Sequence, residues 1–164
     1  MTKEEIYQLL DEKNISYEII NHKAVYTMED LDSIKLPHTN LDAKNILVGD
    51  DKKQDFYLIT IRGEKRVNLK EFRKVYQTRP LSFASPFELE EYLKLTPGSV
   101  TPFGLLNDKD KKVKFFLDKD FLNYPGIIGV HPNENTATIF LKTEDLIKIL
   151  KKNGHEVKLM EAIE

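Results

Sequence analysis

The sequence predicts an α+β fold, with a mixed and partly curled β-sheet and flanking helices. Three observations carry this expectation. Short apolar or alternating runs that read as strands are interleaved with amphipathic segments, without the regular strand–helix–strand rhythm of a parallel sheet. Two of those runs, 44–48 and 56–61, are separated by the polar turn Gly49-Asp50-Asp51-Lys52-Lys53, as in a hairpin. No internal repeat, linker or low-complexity segment divides the 164 residues, so 1–164 reads as one domain, long enough to bury its own core.

The elements follow in order. Thr2 and Glu5 form a capping box, and Ile6, Leu9 and Leu10 share a face, which predicts a helix over 3–13. Ile15, Tyr17 and Ile19 alternate with polar residues, as in a strand. Thr27 can cap a short helix to about Ile34, which Pro37 ends. After the hairpin, Asn68 with Glu71 starts a helix to about Tyr76. Ser85 and Pro86 start another through Leu93. Strands are expected at 113–117, 127–130 and 136–141. Thr143 is expected to cap a last helix that buries Leu146, Ile149 and Leu150 and stops at Gly154, with 157–159 returning as an edge strand.

Composition bounds the chemistry. Hydrophobic residues make 40% and charged residues 32% of the chain, an ordinary globular balance. No run of about 18 apolar residues is present to span a bilayer, and the start MTKEEIYQLL lacks the apolar core of a signal peptide. A cytoplasmic protein with no membrane partner fits these features. With no cysteine, disulfides, thiolate catalysis and thiolate metal sites are excluded. No histidine pair has zinc-ligand spacing, so no metal or other cofactor is expected. The net charge of −2 argues against a generic nucleic-acid coat, DNA included. Between Arg62 and Arg79, however, Arg62, Lys65, Arg66, Lys70, Arg73, Lys74 and Arg79 face only Glu64 and Glu71, a cluster able to cradle phosphates.

Three segments carry the candidate chemistry. In TPGSVTPFGLLND (96–108), Gly98 and Pro102 bracket a short loop; glycine lets backbone approach a ligand and proline stiffens it. Such a loop can aim its amides at a substrate carbonyl and stabilise an acyl-transfer transition state without a nucleophile of its own. A second segment, GVHPNENTATI (129–139), is a polar turn feeding a strand, with His131 and Asn135 at its mouth. In a third, AKNILV (43–48), Lys44 stands at the head of an apolar strand.

Taken together, the three segments resemble the YbaK/prolyl-tRNA editing family of aminoacyl-tRNA deacylases, which carries a strand-head K-N lysine, a G-x-x-x-P loop and an H-P-x-x-N turn in this order. The form GSVTPFGLLND looks most like the free-standing branch that hydrolyses alanyl-tRNA(Pro). The resemblance runs from about residue 22 to the last helix. It implies one editing domain with Lys44 and the loop Gly98, Ser99, Val100, Thr101 and Pro102 in catalytic roles. It further implies that Tyr26, Thr27, His131 and Asn135 contact substrate. The implied partner is the aminoacylated acceptor end of tRNA(Pro), with prolyl-tRNA synthetase as a further candidate.

Alternatives stay open at this level. Lys44 could merely snorkel from the strand. His131 could act as a base, contact substrate, or fix its own turn, and Asn135 could cap the turn or bind substrate. Ser99 invites a serine-hydrolase reading, but the G-x-S-x-G elbow is missing. Asp108 and Asp110 read as a solvated charged turn, and His38 and His155 as surface loop residues. A cysteinyl-tRNA(Pro) or broader small-amino-acid deacylase competes with the alanine-directed reading. A non-catalytic module of the same fold that binds tRNA or a synthetase is the other rival, followed by an unrelated α+β ligand-binding protein.

Overall fold

In the computed structural model, residues 1–24 and 41–161 are described. Helix α1 (Lys3–Glu12) starts at the expected capping box: the Thr2 hydroxyl accepts from the Glu5 amide while the Glu5 carboxylate accepts from the Thr2 amide. Just past its C-cap Lys13, Asn14 with a φ of 55° turns the chain and lets the Ile15 amide bond back to the Leu10 carbonyl. Ile15 therefore leaves the helix rather than beginning a strand. β1 runs over Tyr17–Asn21, two residues later than its alternation suggests. The short helix expected from Thr27 lies outside the described residues.

The hairpin forms as expected from β2 (Ala43–Asp50) and β3 (Phe56–Arg62), paired antiparallel from Ala43↔Arg62 to Gly49↔Phe56. Its turn is organised by the buried Asp50 carboxylate, which accepts from the amides of Lys52, Gln54 and Asp55. Helix α2 (Leu69–Tyr76) is capped by Asn68, and the three-residue β4 (Leu81–Phe83), too short to signal itself in the sequence, pairs with the end of β2. Helix α3 (Pro86–Leu93) starts at the expected Ser85 cap, which the Glu88 side chain completes as a capping box.

A 3-10 turn over Pro102–Asn107 leads to β5 (Val113–Asp118). β6 (Ile127–Val130), β7 (Ala137–Lys142), α4 (Thr143–Lys152) and β8 (Val157–Met160) complete the chain.

The fold class is the expected α+β, with the strands divided between two open sheets. One is five-stranded and mixed, in the order β4-β2-β3-β5-β8; the other is antiparallel, in the order β1-β7-β6. The predicted edge strand is real: β8 lies parallel to β5. Period-two alternation gives the larger sheet two apolar faces. Leu58, Phe115 and Leu117 join Ile6, Leu10, Ile139 and Leu150 in a core between the sheets and the helices α1, α3 and α4. Ile59, Ile61 and Phe116 pack on the other face under Phe72 of α2. Gly129 stitches the sheets together, its amide donating to the Leu41 carbonyl at 2.8 Å and its strand bridging Asp42.

Three expectations are corrected. Thr143 does not cap α4; it is the first helical residue, and its buried hydroxyl donates to the Phe121 carbonyl at 2.7 Å. Asp108 is not solvated. Its carboxylate is buried and accepts from the Lys112 and Val113 amides. His155, read as a surface residue, is buried against it, with Nε2 3.4 Å from Asp108 Oδ2. Burial alone would raise the Asp108 pKa, but the His155 ring and the two amides outweigh it and hold the carboxyl below its ordinary value.

Candidate active site

The G-x-x-x-P loop is built by its own hydroxyls. Gly98 has a φ of 90°, a conformation that favours glycine. Ser99 is buried; its hydroxyl donates to the Thr96 carbonyl at 2.9 Å and accepts from the Thr96 amide at 3.2 Å. That oxygen is committed to shaping the loop, which answers the nucleophile reading of Ser99. Thr101 is fully buried and begins the 3-10 turn, its Oγ1 accepting from the Phe103 amide at 3.4 Å. The same hydroxyl donates to the His131 carbonyl at 2.6 Å. One hydrogen bond thus clamps the 98–102 loop to the turn after β6. Among the described residues, no acceptor meets the backbone amides of Val100 and Thr101.

His131 is oriented from both ends. Its Nδ1 lies 2.8 Å from the Ala137 carbonyl, which can only accept, so Nδ1 carries the proton and Nε2 is left with a lone pair. Burial pushes the His131 pKa down, the bond to Ala137 opposes this, and nearby His22 adds to it, so the ring is held neutral. His22 lies at a centroid distance of 6.0 Å. It is fixed in turn by the Lys23 carbonyl at Nδ1 and the Thr138 hydroxyl at Nε2.

Beside His131 a small cleft opens between the sheets, lined by Asp42, Ala43, Asn45, Gly129, Val130 and Thr138. Asn45 contributes an amide whose oxygen accepts from the Thr60 hydroxyl at 2.6 Å. That bond identifies the oxygen end and leaves the NH2 as donor.

The predicted residues divide accordingly. Thr101 and His131 are brought together, with Gly98, Ser99, Val100 and Pro102 on the same loop. Asn135 is half-buried in the turn between β6 and β7. Tyr26 and Thr27 lie outside the described residues.

Lys44 sits elsewhere. Its cross-strand partner Ile61 and its neighbours Ile46 and Val48 belong to the core under α2, so it emerges on the face of β2 opposite Asn45. Its ammonium donates to the Lys65 carbonyl at 2.6 Å. Sequence reasoning passed over Asn45, His22 and Thr138. Asn45 had a signal, since a polar residue on the core-facing side of an otherwise apolar strand calls for a reason.

This arrangement defines a class: an α+β fold with a small polar cleft between its sheets, close to a loop whose Val100 and Thr101 amides meet no acceptor among the described residues, and with no serine among the described residues lining that cleft. Comparison with known proteins carries it further. The aminoacyl-tRNA editing domain matches residues 22–149. The prolyl-tRNA editing protein ProX of Acetoanaerobium sticklandii is 38% identical over 159 residues, covering 97% of this chain and 96% of that protein. The mouse prolyl-tRNA synthetase associated domain-containing protein 1 is 32% identical over 159 residues, covering 93% of this chain and 91% of that protein.

A crystal structure provisionally described as a trans-editing enzyme for prolyl-tRNA synthetase superposes with a TM-score of 0.72 at 19% identity. The match covers 97% of this chain and 96% of that one, a likeness of fold. The chain belongs to the aminoacyl-tRNA editing family and is an aminoacyl-tRNA deacylase. Among the described residues, no helix is long and apolar enough to cross a membrane.

Proposed function

We propose that this protein is a cytoplasmic, free-standing editing enzyme that hydrolyses the ester of mischarged alanyl-tRNA(Pro). The observation that carries the reading is the Thr101–His131 hydrogen bond, which sets a loop with unengaged amides beside the Asn45 cleft. An aminoacyl ester is already activated, so water can attack its carbonyl carbon without a covalent enzyme intermediate. The carbonyl oxygen becomes an oxyanion, which the amides of Val100 and Thr101 stabilise. As the carbonyl re-forms, the bond to the ribose oxygen breaks, that oxygen takes the proton given up by the attacking water, and free alanine and tRNA leave. The tRNA's neighbouring ribose hydroxyl orients the water, as the family resemblance implies.

Asn45 donates its NH2 to the substrate. Neutral His131 accepts from the substrate at Nε2. Lys44 acts as a positioning cation at the head of β2, holding the Lys65 carbonyl and offering a point charge to the RNA end.

Specificity comes from size. A pocket shaped for a methyl side chain excludes the proline ring, as in the second sieve of an editing system. The branched Val100 and Thr101 narrow and stiffen the loop. Cysteine differs from alanine by one heavy atom, worth about 1–3 kcal/mol in an apolar site, so its rejection is partial. Side-by-side hydrolysis of the alanyl, cysteinyl and prolyl esters on the same tRNA(Pro) tests this. Alanyl should be cleaved fastest and prolyl slowest. Faster cleavage of the cysteinyl or prolyl ester overturns the alanine assignment and leaves the deacylase standing.

A further inference from the structure

Six of the seven cations between Arg62 and Arg79, all but the exposed Arg66, divide into two groups. Arg62 pairs with Glu64 at 3.1 Å, Arg79 with Asp51 at 2.6 Å, and Lys65 with Asp118 and Asp120. These three cations are consumed inside the fold. Lys70, Arg73 and Lys74 are exposed and form no ion pair among the described residues. Together with Gln77 and Thr78 they line one shallow cleft along α2. The i, i+3, i+4 spacing of Lys70, Arg73 and Lys74 puts the three cations on one helix face, with neighbours about 5–6 Å apart, and the C-cap Gln77 and Thr78 follow at its end.

The opposite face of α2 is anchored. Phe72 is buried against Tyr57 and Phe116, with ring centroids at 5.9 and 4.9 Å, so the helix is a fixed platform for its outer charges.

We propose that the outer face of α2 grips the phosphate backbone of the substrate tRNA, at a surface separate from the Asn45–His131 cleft. The inference rests on the deacylase reading only for the identity of the polyanion. Three cations without an ion-pair partner among the described residues, on a rigid helix, suit a strand that carries one phosphate charge per nucleotide, and the Gln77 side-chain amide adds a neutral donor for phosphate or sugar oxygens. A membrane suits this face poorly. Amphipathic helices that lie on bilayers bury an apolar stripe, and that of α2 is already packed on the sheet, with Val75 as its exposed apolar residue.

The test measures binding of uncharged tRNA(Pro) from 50 to 200 mM salt by wild type and by the triple variant K70E/R73E/K74E. The neutral triple K70Q/R73Q/K74Q serves as a second variant, and circular dichroism checks folding. The variants should bind at least tenfold more weakly at low salt. The plot of log Kd against log salt should become shallower by roughly 2–3, at about 0.7–0.9 for each of the three lost phosphate contacts. An unchanged slope overturns the proposal. So does loss of binding to phosphatidylserine vesicles with tRNA binding intact. Uncharged tRNA needs no hydrolysis. A protein that binds through α2 but cleaves no ester therefore refutes the proposed function alone, and one that cleaves with an unchanged slope refutes only this surface.

Discussion

Replacing Thr101 by valine removes the hydroxyl that clamps the two motif-bearing loops while keeping a β-branched side chain of nearly the same size. The hydroxyl of the fully buried Thr101 donates to the carbonyl of the half-buried His131 at 2.6 Å, so the substitution leaves that carbonyl without its donor. An unsatisfied buried polar group costs about 1–3 kcal/mol. The cap on the Phe103 amide is lost as well, but at 3.4 Å it adds little. A total near 2–3 kcal/mol follows, and a domain of this size loses about 2–4 °C in Tm per kcal/mol. Thermal unfolding should therefore show T101V melting roughly 4–12 °C below wild type. Deacylation should fall further than stability requires, since misplacing a catalytic loop by about 1 Å can cost around 100-fold. T101S keeps the hydroxyl and should recover most of both losses. If T101V matches wild type in melting and turnover, or if T101S is as impaired as T101V, the clamp is not what joins the loops.

Two further expectations concern charge. Burial holds the His131 pKa below its unfolded value of about 6.5, so the unfolded chain binds more protons in that window. Stability should be level above pH 6.5 and decline as pH falls toward the folded value, and H131Q should flatten this part of the Tm profile; an unchanged profile refutes the assignment. Lys65→Met leaves the buried Asp118 carboxylate without its cation. Because Lys65 is partly exposed, a cost of about 2–3 kcal/mol is expected, below that of breaking a fully buried pair. Denaturant unfolding checks this, and a loss under about 0.5 kcal/mol would contradict it.

Local features of the chain were legible where local physics decides them. The capping box at Thr2, the cap at Ser85, the 49–53 turn and the stop at Gly154 depend on residues a few positions apart, and each forms. The errors came from long-range partners. Asp108 and His155 look solvated singly because the sequence does not reveal that each is buried by the other. Thr143 has the composition of a cap, but its hydroxyl is claimed by Phe121, 22 residues away. The division of strands between two sheets depends on β1 pairing with β7 across most of the chain. At the site, motif order picked out the 98–102 loop and His131, and only the fold revealed that one threonine joins them. Strand alternation put Lys44 on one face of β2 and Asn45 on the other, a distinction available in principle once the core-facing side was known.

On the proposed function, the cleft holding Asn45 and His131 hydrolyses the aminoacyl ester. The most direct test is alanine release from alanyl-tRNA(Pro) with enzyme far below substrate, comparing wild type with Asn45→Ala of verified fold. Wild type should turn over many times and Asn45→Ala at least tenfold more slowly, as expected when a donor to the reacting group is lost. Release at the wild-type rate by Asn45→Ala would move the chemistry out of this cleft, and no release by wild type would refute alanyl-tRNA(Pro) as the substrate.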